Sequence, residues 1–298
     1  GILSQAVYST VTATEIQFGS ESVFVTSGGY GPNQVSAMLG LGAFLLILLF
    51  FLEQRWFIRI LAFVLAVGLL AQSFLTFSRG GVVNVIVALG MVLIHLLTNR
   101  KYLLRFLPAL LIFTGIGIFY VFPQLNTYTG SALQARYQDL NLTGREEIAR
   151  SDIQIWLDNP ILGIGPGMSK QGRLLYYQRL AAAHTEYTRM LAEHGSAGLL
   201  SLLILLLIIW RAYLRAPDSL ARALTASLAA WSLVEMGHAA MRIVAISFIF
   251  GLACINWRTS EKQKESKSSP QQIESQYGKT SYYHNQIKSI GQRKSINK

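Results

Sequence analysis

Hydrophobic runs of membrane length alternate with short polar connections along most of this chain. Seven runs approach the roughly 20 apolar residues that the hydrocarbon core of a bilayer requires. These runs lie at residues 35–52, 57–77, 81–97, 102–122, 196–213, 220–236 and 243–257. The pattern predicts an all-α fold, a polytopic bundle of about seven transmembrane helices.

One long polar interval, residues 123–195, separates the fourth run from the fifth. Because lipid cannot satisfy free backbone donors and acceptors, this interval is expected outside the bilayer, and any chemistry is expected there. We therefore predict an extracytoplasmic N-terminal segment, four transmembrane helices, a large helical extracytoplasmic loop, three transmembrane helices and a disordered basic cytoplasmic tail. The corresponding residues are 1–34, 35–122, 123–195, 196–257 and 258–298.

The first half of the long loop carries the signals of a capped helix. Thr143 and Glu146 have the spacing of a capping box, which predicts a helix from about residue 144 to 158. The Asn159-Pro160 pair is expected to end it. Arg150 follows Glu146 by four residues, which is the spacing of an ion pair on a helix surface.

The second half of the loop contains a glycine-rich turn and another predicted helix. The GIGPG sequence at residues 163–167 lacks the strand and crossover of a dinucleotide-binding fingerprint, so we interpret it as a turn. A second helix is expected to start between Arg173 and Thr185 and to run towards the membrane. Gly195 and Gly198 mark the point where it enters the next span.

Composition and charge support a membrane protein. The chain of 298 residues is 52% hydrophobic and only 14% charged, which is too apolar for an ordinary soluble domain of this size. The net charge of +11 is concentrated in the tail, where nine Lys or Arg face three Glu. Without aromatic stacking platforms on a fold, this tail is better explained as a positive-inside anchor than as a nucleic-acid site.

Basic residues in the connections predict the orientation. They cluster in the connections around residues 55–59, 100–105 and 211–222 and in the tail. The positive-inside rule then places the N-terminal segment and the long loop outside, with the C-terminus in the cytoplasm. An exposed N-terminal segment needs a preceding span to carry it across, so we expect the chain to be the C-terminal part of a larger polytopic protein.

Arg145 lies in the first turn of the helix predicted for the loop. The unpaired backbone N–H groups and the positive end of the helix dipole attract anions there, and an arginine can clamp a phosphate through two hydrogen bonds. The alternative is a surface arginine paired with Asp139 or Asp152. Spacing leaves both interpretations open.

Arg79 lies in the sequence SRGG, at the outer edge between two predicted spans. The Gly80-Gly81 pair allows the backbone to approach a ligand closely, and the outer headgroup level suits an arginine that binds a lipid diphosphate. The alternative is a basic side chain that simply extends into the headgroup region.

His184 lies in the sequence AAAHTEYTRM. If a helix begins near Thr185, the positive end of its dipole favours the neutral imidazole that a general base requires. If the helix starts earlier, His184 shares a face with Leu180, Tyr187 and Leu191 and is a packed interface residue. Tyr187 and the adjacent glutamate, Glu186, are candidate supporting residues in the site.

The last outside turn holds another polar group, formed by Glu235, His238 and Arg242. It is either a wall of the site, with Arg242 as a further supporting residue, or a solvated turn. No cluster of His, Cys or carboxylates has the spacing of metal ligands, so the predicted site uses no metal and no cofactor.

Four motifs in this order resemble the O-antigen ligase and O-antigen polymerase superfamily of bacterial envelope glycosyltransferases. They are GYGPNQVSAML before the first span, FSRGG between spans, TGREEIARSDIQIWLDNPILGIGPG in the loop and AHTEYTRMLAEHGSAGLL at its end. The resemblance covers roughly residues 29–213.

The resemblance implies a donor glycan linked to undecaprenyl diphosphate and an acceptor hydroxyl on a growing glycan or on lipid A core. Arginines matching Arg79 and Arg145 hold the diphosphate in such proteins, and a histidine matching His184 activates the acceptor. The resemblance also implies a multi-pass protein of the bacterial inner membrane, in contact with membrane lipids, with the large loop in the periplasm.

Two other functions compete with this interpretation. The first is a solute transporter, because some relatives with the same loop signature have been linked to bicarbonate uptake. A transporter would favour ionisable residues or broken helices near the middle of the bilayer. A non-catalytic subunit of envelope assembly would leave Arg79, Arg145 and His184 without a shared purpose.

Overall fold

The apolar runs form long helices in the computed structural model, which describes residues 1–19, 21–97, 99–139, 144–178, 180–239 and 243–255. The helices are α1 (Ile2–Thr12), α2 (Pro32–Leu52), α3 (Trp56–Leu75), α4 (Gly80–Leu96), α5 (Arg100–Ile116), α6 (Phe122–Tyr128), α7 (Ala132–Gln138), α8 (Arg145–Asp158), α9 (Ser169–Tyr177), α10 (Glu186–Arg215), α11 (Ser219–Ala239) and α12 (Ala245–Ala253). Across the described ranges no strand occurs, and the predicted all-α fold is confirmed.

The first compact unit of the chain is Gly1–Ile255. The helices belong to the first unit. The tail for which we predicted disorder, residues 258–298, lies outside the described residues.

Helices occupy each of the seven places where a span was predicted, but only four helices of the described chain are both long and apolar enough to cross a membrane. These are Pro32–Leu52, Trp56–Leu75, Tyr102–Tyr128 and Glu186–Arg215. Of the other three, α4 is apolar but shorter, and the described part of α12 has nine residues. Helix α11 is long but buries polar side chains such as Ser227, Ser232 and Glu235 against its neighbours.

Close contact between α2 and α4 fixes the turn that carries Arg79. A Cβ atom on Gly81 would lie 2.0 Å from the carbonyl oxygen of Ser36, so only glycine permits this approach. The buried Ser36 hydroxyl donates to Ser78 O at 2.9 Å, accepts from Gly81 N–H at 3.2 Å and lies 2.9 Å from Ser73 Oγ. These bonds join α2, α3 and the start of α4 beneath the turn.

The helix predicted for the first half of the loop is confirmed as α8. Its N-cap is Gly144, in the left-handed region at φ 74°, while the capping-box residue Thr143 lies outside the described residues. The predicted pair of Glu146 and Arg150 is confirmed at 2.6 Å. The second predicted helix starts slightly later than expected, at Glu186, and α9 is an additional helix that the sequence pattern did not predict.

A fully buried ion pair between Asp152 of α8 and Arg173 of α9 holds the loop together. Arg173 Nη2 lies 2.6 Å from Asp152 Oδ1, and both side chains are 0% exposed. Arg173 also donates to Ala181 O at 2.7 Å, and Asp152 accepts from the Thr188 hydroxyl at 2.9 Å. Burial raises the pKa of Asp152, whereas the charge of Arg173 and the Thr188 hydroxyl act in the opposite direction. The pair thus anchors the chain on both sides of residues 182–187.

The GIGPG sequence forms the predicted turn and packs against a break in α10. Gly195 has φ 56° and ψ −130°, which interrupts the helix between its polar and apolar halves. Ser196 N–H donates to Ile161 O at 3.1 Å across this break. A Cβ atom on Gly163 would lie 2.5 Å from the backbone of Glu193, so glycine is required at the contact.

Substitution of Gly81 by Ala tests the contact between α2 and α4. We expect Gly81→Ala to lower the free energy of unfolding by about 1–3 kcal/mol, because the new methyl group overlaps the Ser36 backbone. The apparent melting temperature in detergent measures the effect. Gly90→Ala is the matched control, since a Cβ atom there meets nothing within 4 Å. Equal melting temperatures for the two variants would contradict the packing.

Substitution of Asp152 by Asn tests the buried ion pair. Asp152→Asn leaves the guanidinium of Arg173 buried without its counter-charge, and we expect a loss of about 3–5 kcal/mol in the free energy of unfolding. Glu146→Gln, which breaks the exposed pair on the same helix, should cost only about 0.3–0.5 kcal/mol. Melting temperature and the rate of proteolysis in the loop report both variants. The interpretation fails if Asp152→Asn is no more damaging than Glu146→Gln.

Candidate functional site

Arg79 stands at the N-terminus of α4, where the helix packing described above fixes its backbone. The side chain is half-buried, and its Nη1 donates to the backbone oxygen of Asp139. Ser78, the preceding residue, donates to Asn33 Oδ1 at 2.8 Å. The ring of His238 in α11 lies on the other side of the turn, 3.7 Å from where a Cβ atom on Gly80 would be. Arg79 therefore contacts the loop, while the next residue, Gly80, packs beside α11.

Arg136 of α7 bonds to the same turn from the opposite direction. Its Nε donates to Phe77 O at 3.1 Å, while the Arg79 side chain donates to the backbone three residues after Arg136. Arg136 is only 8% exposed, and its Nη1 has no hydrogen-bond partner among the described residues. Sequence reasoning missed this residue, because nothing in the local pattern of α7 shows that it reaches a turn 59 positions away.

Arg145 is the first residue of α8 and is half-buried. Burial lowers the pKa of its guanidinium, and the positive charges of Arg136 and Arg79 lower this pKa further, while the carboxylate of Glu235 opposes them. The three guanidinium groups therefore share one electrostatic environment. Within the described residues Arg145 forms no ion pair, and the predicted alternative, a pair with Asp139 or Asp152, is wrong because Asp152 binds Arg173.

Glu235 of α11 provides the acidic side of this environment. It is 1% exposed, and its Oε2 accepts from Asn84 Nδ2 of α4. Glu235 Oε1 and Asn84 Oδ1 have no partner among the described residues. Because Glu235 is buried within a helix, the solvated-turn alternative is wrong for this residue. The third member of the predicted group, Arg242, lies outside the described residues.

His184 lies in the bend directly before α10 and is half-buried. Thr185 is the N-cap and Glu186 the first helical residue, so the helix begins at the later of the two predicted positions and His184 lies at the positive end of its dipole. The alternative in which His184 lies inside a longer helix with Leu180 is wrong. Sequence spacing could not decide this, because the helix start depends on the tertiary bonds made by Arg173 and Asp152.

Tyr187 connects this bend to α11. Its hydroxyl donates to Leu233 O at 2.6 Å, and its ring lies 3.9 Å from where a Cβ atom on Gly237 would be. The segment of His184 therefore packs against the end of α11 that also carries Glu235 and His238. Glu186, the other predicted supporting residue, forms an ion pair with Arg189 one turn later.

The charges of Arg79 and Arg136 thus act on the guanidinium of Arg145, and Tyr187 bonds the His184 segment to α11. In the described part of the chain, no group of three or more His, Cys, Asp or Glu side chains is arranged to hold a metal ion. The role predicted for Arg79 and Arg145 rests on charge, because neighbouring cationic groups can hold an anion.

Comparison with known proteins identifies a matching family model. Residues 69–203 match the family model described as O-antigen ligase, and the match includes Arg79, Arg136, Arg145 and His184. No curated protein and no solved structure matches the chain. This match over residues 69–203 supports the resemblance to the O-antigen ligase superfamily that the four motifs predicted.

Proposed function

We propose that this protein transfers a glycan from an undecaprenyl-diphosphate carrier to an acceptor hydroxyl. The match to the O-antigen ligase family model supports a membrane glycosyltransferase of the O-antigen ligase or polymerase type. The observation that carries the finer proposal is the shared environment of Arg79, Arg136 and Arg145, in which each of the first two lowers the pKa of the third.

Three neighbouring guanidinium groups favour a multiply charged anion. Like charges repel one another in a half-buried site, so an anion that binds there reduces the electrostatic repulsion present in the free protein. Arginine also matches the geometry of phosphate oxygens, with two parallel N–H donors. The N-terminus of α8 adds unpaired backbone N–H groups beside Arg145. A lipid diphosphate fits these features, and the charge on the departing diphosphate would be stabilised in the same place.

His184 is the proposed general base. The acceptor oxygen forms a bond to the anomeric carbon while the bond from that carbon to the diphosphate oxygen breaks, and its electron pair leaves with the diphosphate. His184 takes the proton of the acceptor hydroxyl, which requires a neutral imidazole. Attack from the face opposite the leaving group inverts the anomeric centre. Glu186, Tyr187 and Arg242 are proposed to support the bend and the wall of the site.

The same proposal includes location and partners. The long loop at residues 123–195 would lie on the periplasmic side of the bacterial inner membrane, and the basic tail would lie in the cytoplasm. The acceptor is a glycan or lipid A core. No metal, cofactor or nucleic acid is needed for this chemistry, because the arginines provide the positive charge that a metal supplies elsewhere.

Single alanine substitutions test the assignment. In the full-length protein in membranes, Arg79→Ala and Arg145→Ala should each reduce transfer from the lipid-linked donor by about 100- to 1,000-fold, because a charge that stabilises the leaving diphosphate is lost. His184→Ala should reduce it by about 100- to 10,000-fold, as expected for loss of a general base. Arg150→Ala is the matched control, since this arginine lies on α8 but pairs with Glu146 at the surface.

The readouts are glycan transfer and the amount of folded protein for each variant. Wild-type transfer by all three folded variants would overturn the assignment. If they instead lost solute uptake in cells without any lipid-linked glycan, the transporter alternative would replace it.

A further inference from the structure

The turn before GIGPG exposes two large aliphatic side chains. Ile161 is 71% exposed and Leu162 is 82% exposed. The side chain of Ile164, in contrast, packs against α9. Its Cδ1 lies 2.6 Å from where a Cβ atom on Gly172 would be, and Ile155 approaches the same position. The same short turn therefore sends one aliphatic side chain inward and leaves two without a partner in the described chain.

This turn is attached to α10 at the point where the helix becomes apolar. Ile161 O accepts from both the backbone N–H and the hydroxyl of Ser196, at 3.1 and 2.8 Å. A Cβ atom on Gly195 would lie 2.5 Å from the same oxygen, so the two segments are in direct contact. The position of the turn along α10 is therefore fixed.

The apolar half of α10 that follows is exposed on most of its surface. Leu199, Leu200 and Leu203 are 40%, 58% and 53% exposed, and only 6% of the most apolar window of α10 is buried. In a helix long and apolar enough to span a membrane, such a surface faces lipid. Leu199 comes three residues after Ser196, which is about 4.5 Å along the helix axis.

We propose that Ile161 and Leu162 insert into the lipid surface at which α10 enters the membrane. The lipid-facing surface of α10 continues onto these two side chains, because the turn is bonded to the first residue of its apolar half. An apolar element at this level reaches about 5–10 Å into the boundary between headgroups and acyl chains. The occupant of the exposed surface is therefore the acyl region of the adjoining leaflet. The insertion holds α8 and α9 against the membrane surface at a second point besides the ends of the spans.

Fluorescence labelling tests the insertion without reference to catalysis. Leu162→Cys is made in a Cys254→Ser background, which removes the single native cysteine, and is labelled with an environment-sensitive dye. The control is Gln154→Cys, an exposed position on α8. Both full-length proteins are reconstituted into phosphatidylcholine–phosphatidylglycerol vesicles with nitroxide groups near the top of the acyl chains.

The proposal expects the dye at position 162 to emit at shorter wavelength than the dye at 154, to be quenched by the lipid nitroxide and to be protected from aqueous iodide. Ile161→Cys should behave in the same way. Equal iodide quenching at 162 and 154, without quenching by lipid, would overturn it. A blue shift that disappears on dilution of the protein would assign the surface to a second copy of the chain, which also overturns it.

Discussion

The buried ion pair between Asp152 and Arg173 is the constraint on which the site depends. Neither α8 nor α9 has a large apolar core of its own, and charged groups inside a lobe are stable only when each has a partner. This pair satisfies both charges and uses its remaining bonds on Ala181 and Thr188, which lie on either side of the His184 bend. The geometry of the proposed base is therefore determined by residues that need not touch a substrate.

The cluster formed by Arg79, Arg136 and Arg145 differs from this ion pair, because it groups like charges. Its guanidinium groups are partly withdrawn from water. The carboxylate of Glu235, which also accepts from Asn84, acts on Arg145, and those of Asp139 and Glu21 act on Arg136. Retained positive charge at the junction of the loop and the bundle is a feature typical of a binding site, where an anionic ligand completes the balance.

The sequence predicted the helical class, the places of the helices, α8 and its surface pair, because these follow from local spacing of apolar and charged residues. It named Arg79, Arg145 and His184, but it left their roles open. Asp152 could not be assigned to Arg173, since the two lie on different helices and 21 residues separate them. The contact of Arg136 with the turn before α4 and the burial of Glu235 could not be predicted either, because long-range packing determines them. Seven spans were predicted where four helices meet the requirements of length and composition. Helix α4 has only 17 residues and α12 only nine, and α11 carries buried polar side chains.

Arg79 and Arg136 each bind the backbone of the segment that carries the other. The two bonds act as a double tether, since any increase in the distance between the turn before α4 and α7 stretches both at once. The two bonds therefore restrict changes in the distance between Arg79 and Arg136 when the long loop moves. Arg145 is carried by a different helix, α8, so these two bonds do not fix its distance from the other two guanidinium groups.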